Sequence, residues 1–354
     1  MSYKVSATCL KFSTLVMGLL IWLAGLSQAK KVPPPVWPEM DAFLLLNQKT
    51  LGNNLVAMTW KEGKIVYQKN FEKEAGDFNG KTQMEIGHAS EWLTAALVMT
   101  YVDEGKLSLD DKVSKYIPIF ATYMKSYITI RNCLTNTTGI QADAIGALKI
   151  LQKSKFATLE DEVNSFASKR EIQANPGMEV YYSHVGFNIA GRVLEIIAKK
   201  NFDRLMQDRI IHPLKMRGTS FTDESGGATN PSAGALSTPN DYLNFLAMLL
   251  DSGKFEGKRV LSEKSVQEME TLQFTELPVK SIPKGWEGWH TGLGDWINGN
   301  VICNLNLNGN WAYIDKCRKY AAILFVKNPT AEPRKEIYQR FQQTADARIG
   351  GNCE

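Results

Sequence analysis

The stretch that most constrains this chain is Ile86-Gly87-His88-Ala89-Ser90-Glu91-Trp92-Leu93-Thr94-Ala95-Ala96, which runs on into Leu97-Val98-Met99. Ala89, Trp92, Leu93, Ala96 and Leu97 recur at helical spacing, and Ala95, Val98, Met99 and Val102 fill the opposite face. A helix that is apolar all round is buried, so the fold has to close over it on every side. Its first turn nonetheless carries an imidazole, a hydroxyl and a carboxylate. A charged group buried without partners costs several kcal/mol, so these side chains must be hydrogen-bonded, paired or ligating. His88 and Glu91, three residues apart, lie on one face.

Strand patterns sit at the two ends of the chain. Asn54–Trp60 and Lys64–Asn70 read as a hairpin around Lys61-Glu62-Gly63, Val301–Leu307 alternates, and Tyr320–Val326 is a continuous apolar run. Between them the pattern is mostly helical, at Ile130–Leu134, Leu159–Ser168, Val185–Lys200, Phe202–Ile211 and Asn240–Ser252, and Glu332–Arg348 forms a last helix. Strands from both termini with helices between predict an α/β (α+β) fold, with one antiparallel sheet built from both ends of the chain. The expected division is a sheet lobe over about 40–85 and 280–354 and a helical lobe over about 86–279.

Composition adds bounds. With 354 residues, 44% hydrophobic and 22% charged, the chain can bury a large core and is neither disordered nor fibrous. Met1–Ala29 reads as a secretory signal: Lys4 and Lys11 precede the apolar run Phe12–Leu26, and Ser27-Gln28-Ala29 supplies small residues for cleavage. Removing the two lysines takes the basic residues from 41 to 39 against 37 acids, so nothing marks a nucleic-acid footprint. The mature chain, 30–354, is expected to be one domain, secreted or periplasmic, with no membrane span. In an oxidising compartment Cys133, Cys303, Cys317 and Cys353 allow three connectivities. Cys303 and Cys317 flank a hairpin-like segment and are the first expected bridge; Cys133, among apolar residues, reads as a buried free thiol.

Several blocks in order then resemble a known family. Ile86 through Ala96, Val102-Asp103-Glu104-Gly105-Lys106-Leu107-Ser108-Leu109-Asp110-Asp111 and Tyr116-Ile117-Pro118 resemble the active-site helix region of the serine beta-lactamase and penicillin-binding-protein superfamily, in particular its class C-like hydrolases. Ile128–Ile140, Pro176-Gly177 with Tyr181-Tyr182-Ser183-His184, and Gly234–Asp241 resemble later blocks of the same family. The resemblance covers roughly Ala42–Arg348 and implies a beta-lactamase/transpeptidase-like fold with a cleft between its lobes.

That family uses a Ser-x-x-Lys pair as nucleophile and base, the lysine lying one turn along the helix. Aligned through Trp92-Leu93-Thr94, this chain has His88 in the serine position and Glu91 in the lysine position. An alternative register makes Ser90 the nucleophile, but its partner three residues on is Leu93, which is no base. The family's Tyr-x-Asn motif keeps Tyr182 and has His184 for the asparagine. The third motif falls either at His290-Thr291-Gly292 or, counting back from the last strands, near Asn304-Leu305-Asn306; the second alignment is favoured, with His290 a loop histidine.

Three readings follow. The site has lost its chemistry and binds a small-molecule or cell-wall-like ligand, or a protein partner, as a pseudoenzyme. Alternatively, His88, Glu91 and His184, which include two of only four histidines, form a two-histidine, one-carboxylate site for Zn²⁺ or Fe²⁺ that activates water. In the third, Glu91 orients His88 as a metal-free general base with help from Tyr182. Trp60 and Trp92 read as core; Trp286, Trp289 and Trp296, among glycines, read as the lining of a pocket mouth.

Overall fold

A computed structural model of the chain describes residues 35–72, 78–142, 156–221, 227–282, 286–304, 309–327 and 334–353. The expected signal segment Met1–Ala29 lies outside the described residues, as do Leu305 and Asn306. Val36–Glu354 cluster as one compact unit.

A seven-stranded sheet joins the two ends of the chain. Its strands are β1 (Leu55–Lys61), β2 (Lys64–Phe71), β3 (His290–Thr291), β4 (Trp296–Asn298), β5 (Val301–Asn304), β6 (Trp311–Asp315) and β7 (Tyr320–Val326), in the order β2-β1-β7-β6-β5-β4-β3. All neighbours are antiparallel, and β1 meets β7 from Leu55↔Val326 to Lys61↔Tyr320. The first hairpin closes on Glu62 (φ 50°) and Gly63 (φ 80°), two residues in the left-handed region, as a tight turn matched to the strand twist demands.

Both faces of the central strands are covered, which is why β7 reads as one unbroken apolar run rather than an alternation. Ala321, Ile323 and Phe325 face one core cluster with Val56, Met58, Ile302 and Ile314. Tyr320, Ala322, Leu324 and Val326 face a second cluster with Leu55, Ala57, Cys303, Trp311 and Tyr313. The second cluster is closed by α1 (Pro38–Asn47), through Met40 and Leu44, and by the last helix, Lys335–Ile349, through Tyr338, Phe341 and Ala345. The first holds α2 (Ser90–Asp103), every residue of which from Ser90 to Tyr101 is buried. The same cluster takes side chains from α3 (Ile130–Leu134), α4 (Leu159–Lys169), α5 (Val185–Ala198) and α6 (Pro239–Leu250), of which α5 and α6 pack directly on α2. The last helix, Lys335–Ile349, is α7.

The bridge expected between Cys303 and Cys317 does not form; Cys317 is joined to Cys353, with their Cα atoms 6.0 Å apart. Cys303 lies within the ladder opposite Tyr313, and β5 ends its pairing at Val301↔Asp315, so Cys317 stands beyond it in the β6–β7 turn. The chain leaving α7 reaches that turn instead. Cys133 and Cys303 are free and buried.

Candidate active site

The polar tip of α2 is fixed by a second segment far along the chain. Gly87 takes φ 52°, opening a short 3-10 turn (Gly87–Ala89) that runs into α2. Ile86 N–H donates to Ala235 O at 3.0 Å, and the Tyr242 hydroxyl on α6 donates to Ala89 O at 3.0 Å. Thr94 Oγ1 donates to Pro231 O at 2.7 Å. The loop 231–235 is thereby pressed against the first turn of the buried helix.

His88 Nδ1 lies 2.7 Å from Glu91 Oε1, and Ser232 Oγ donates to the same carboxylate oxygen at 2.8 Å while standing 3.3 Å from His88 Nδ1. With Glu91 a carboxylate, Nδ1–H is the donor of this bond. Ser232 is held in turn by Asn188, whose Oδ1 accepts from Ser232 N–H at 3.1 Å and whose Nδ2 donates to Glu162 Oε2 at 2.9 Å. Burial raises the Glu91 carboxyl above its ordinary range, opposed by the charge of His88 and by the hydrogen bonds from His88 and Ser232. Its other oxygen, Oε2, has no hydrogen-bond partner among the described residues.

Ser90 points elsewhere. It is fully buried, its Oγ donating to Gly87 O at 2.5 Å and accepting from Ala235 N–H at 3.0 Å. Its one hydroxyl proton is engaged with a backbone carbonyl, so it serves the turn.

Tyr182 packs its ring on His88, with centroids 5.0 Å apart, and on Trp296 at 5.9 Å. The strand pair Val180–Tyr181 with Val279–Ser281 and the Asn136 side chain, which accepts from Ser183 N–H at 3.1 Å, fix this segment. Burial first, and then the charge of Glu91, push the Tyr182 phenol well above its usual range, so it stays protonated and is no base at neutral pH. His184 takes the N-cap position of α5 and sets its ring edge-on to Phe166 at 5.5 Å.

The structure therefore brings together His88, Glu91, Tyr182 and Ser232. Among the described residues no group of three or more His, Cys, Asp or Glu side chains is arranged to hold a metal ion. The set His88, Glu91 and His184 expected for Zn²⁺ or Fe²⁺ is not such a group, because Glu91 and His88 bond to each other and His184 lies against Phe166. Ser232 is the residue that sequence reasoning passed over. Its signal was weak: a lone serine two residues before a block, Gly234–Asp241, valued only as a loop and helix start.

Behind the tip, Asn304, the described member of the favoured third-motif position, is buried at the end of β5 and donates from Nδ2 to Gly294 O at 3.2 Å. Gly294, at φ 79°, lies so close to α2 that a Cβ there would stand 2.7 Å from Ala95 Cβ and 2.8 Å from Glu91 O. His290 is the exposed first residue of the edge strand β3 rather than a loop residue. Trp296 is buried against Tyr182 instead of lining a pocket mouth, whereas Trp286 and Trp289 do line one.

Comparison with known proteins agrees with this architecture. The Beta-lactamase family model matches residues 49–345. Protein flp of Staphylococcus aureus (strain MW2) is 27% identical over 168 residues, which are 46% of this chain and 33% of that protein, so the chain spans about a third of that relative's length. The D-alanyl-D-alanine-carboxypeptidase/endopeptidase AmpH of Escherichia coli (strain K12) is 24% identical over 235 residues, 60% of each chain. A solved structure from Bacteroides dorei DSM 17855 superposes with a TM-score of 0.77 at 23% identity, covering 89% of this chain and 99% of that one. With its helix-sheet architecture and a family model spanning most of its length, the chain belongs to the beta-lactamase family.

Proposed function

We propose that this protein is an exported member of the family in which the acyl-serine route is closed, and that its cleft binds a small-molecule or cell-wall-like ligand, or a protein partner, without acylation. The observation that carries the reading is the closed pair at the tip of α2. The positions that resemble the family's nucleophile and base are an imidazole and a carboxylate hydrogen-bonded to each other at 2.7 Å. The neighbouring hydroxyls are engaged as well, Ser90 with backbone and Ser232 with Glu91. Export is supported by the N-terminal Lys4–Leu26 pattern and by the Cys317–Cys353 bridge.

Intact-mass measurement after incubation with nitrocefin and with penicillin tests the reading. The expected result is an unchanged mass and no nitrocefin turnover; an adduct on Ser90 or Ser232 overturns it. N-terminal sequencing of the secreted product should begin after Ala29.

A second reading is favoured by one distance. A carboxylate 2.7 Å from His88 Nδ1 holds the ring in the tautomer whose Nε2 can take a proton from water, the first requirement of a general base. Ester hydrolysis that disappears in His88→Ala, with no covalent adduct, would establish it in place of pure binding.

A further inference from the structure

On the sheet face opposite α2, a pocket of about 200 Å³ opens between the sheet and α7. Its walls are aromatic: Trp286, Trp289, Trp311 and Tyr338. Trp286 stands 5.4 Å from Trp289 at a steep angle and lies nearly parallel to Tyr338 at 6.2 Å, while Trp311 lies 5.2 Å from Tyr338. The rim carries two exposed amides from opposite sides, Asn298 at the end of β4 and Gln339 on α7. Neither side chain makes a hydrogen bond among the described residues, whereas Gln342, deeper on α7, is engaged with Asp346.

We propose that this pocket binds a single neutral pyranose sugar. A pyranose presents flat C–H faces edged by hydroxyls, so it needs apolar rings to desolvate its faces and groups that both donate and accept at its edge. Trp and Tyr walls give the first, and uncommitted amides give the second. The size agrees, since 200 Å³ is below the roughly 300–1,000 Å³ of sites for larger ligands and holds one ring. Charge decides against the other class that aromatic walls suit, a quaternary ammonium ion. The one charged residue lining the pocket, Lys335, stands 3.9 Å from Glu287, so the mouth offers neither a free anion for a cation nor an unpaired cation for an anion.

Titrate the mature protein with N-acetylglucosamine, methyl β-glucopyranoside and tetramethylammonium chloride, following tryptophan fluorescence and calorimetric heat. A saturable response to at least one sugar is expected, in the millimolar range typical of one small ring. Gln339→Ala and Asn298→Ala, both surface changes, should each weaken it roughly fivefold to tenfold, the value of one neutral hydrogen bond. Trp286→Ala should abolish it, with a retained cooperative urea transition showing that the variant still folds. The proposal is overturned by no saturable response to either sugar, by sugar binding that both amide variants leave intact, or by saturation with tetramethylammonium alone. None of these outcomes bears on the α2 site, whose test is acylation.

Discussion

Glu91 Oε1 is the shared acceptor of the candidate site, 2.7 Å from His88 Nδ1 and 2.8 Å from Ser232 Oγ. One oxygen of a fully buried carboxylate thus gathers an imidazole from its own helical turn and a hydroxyl from a loop 141 residues away. Buried polar groups are costly unless satisfied, and here Oε1 provides an acceptor for both the imidazole and the hydroxyl.

Because the pair is buried, truncating one member strands the other. Glu91→Ala should lower unfolding stability by about 2–4 kcal/mol, since His88 Nδ1 and Ser232 Oγ lose their acceptor. In a urea double-mutant cycle with His88→Ala, a coupling of about 0.5–3 kcal/mol is expected. Additive single effects would show the two side chains to be independent.

Asp295 offers a pH test. Its carboxyl is fully buried beside the Trp92 indole, and burial pushes it well above the usual carboxylate range, with the charge of Glu270 adding to the rise. A folded-state value above the unfolded one means the native state holds the proton. The stabilising contribution is complete below the unfolded value near 3.8 and is lost as pH rises through the folded value. Asp295→Asn, which cannot ionise, should therefore gain urea midpoint over the wild type as pH is raised from 5 to 8. A difference that is flat or reversed with pH would mean that Asp295 is ionised in the folded protein.

Gly294 is predicted to tolerate no side chain. Gly294→Ala adds a methyl 2.7 Å from Ala95 Cβ and 2.8 Å from Glu91 O, at a φ of 79° that costs an L-residue about 1–2 kcal/mol by itself. With overpacking of about 1–3 kcal/mol added, the loss should exceed about 2 kcal/mol in denaturant unfolding.

The Cys317–Cys353 bridge closes a separation of 36 residues, for which loop-closure entropy gives about 3–4 kcal/mol. Cys353→Ser should lower the urea midpoint accordingly. That variant should also lose the midpoint's response to reductant, whereas Cys303→Ser, whose thiol is unbridged, should keep the wild-type response.

Legibility followed the range of the interaction. The all-round apolar pattern of α2 and the doubly buried β7 were readable because burial on every side leaves its mark residue by residue. The placement of His88 beside Glu91 was also readable, being one helical turn apart. Cys317 with Cys353 was not, since the partner depends on where α7 releases the chain, and hairpin spacing pointed to Cys303. His184 shared a motif with Tyr182, yet at a helix N-cap its ring turns to Phe166 while Tyr182 packs on His88.

The amino-acid sequence by itself determined that a buried helix begins with an imidazole and a carboxylate one turn apart, and that a sheet from both chain ends would enclose it. Only the tertiary structure decided what those two groups do. It brought Ser232 onto Glu91, turned Ser90 to the backbone and left no three-ligand cluster among the described residues. Local periodicity records which faces are buried, whereas the partner of a buried polar atom is set by loops whose paths are chosen by packing far away in sequence.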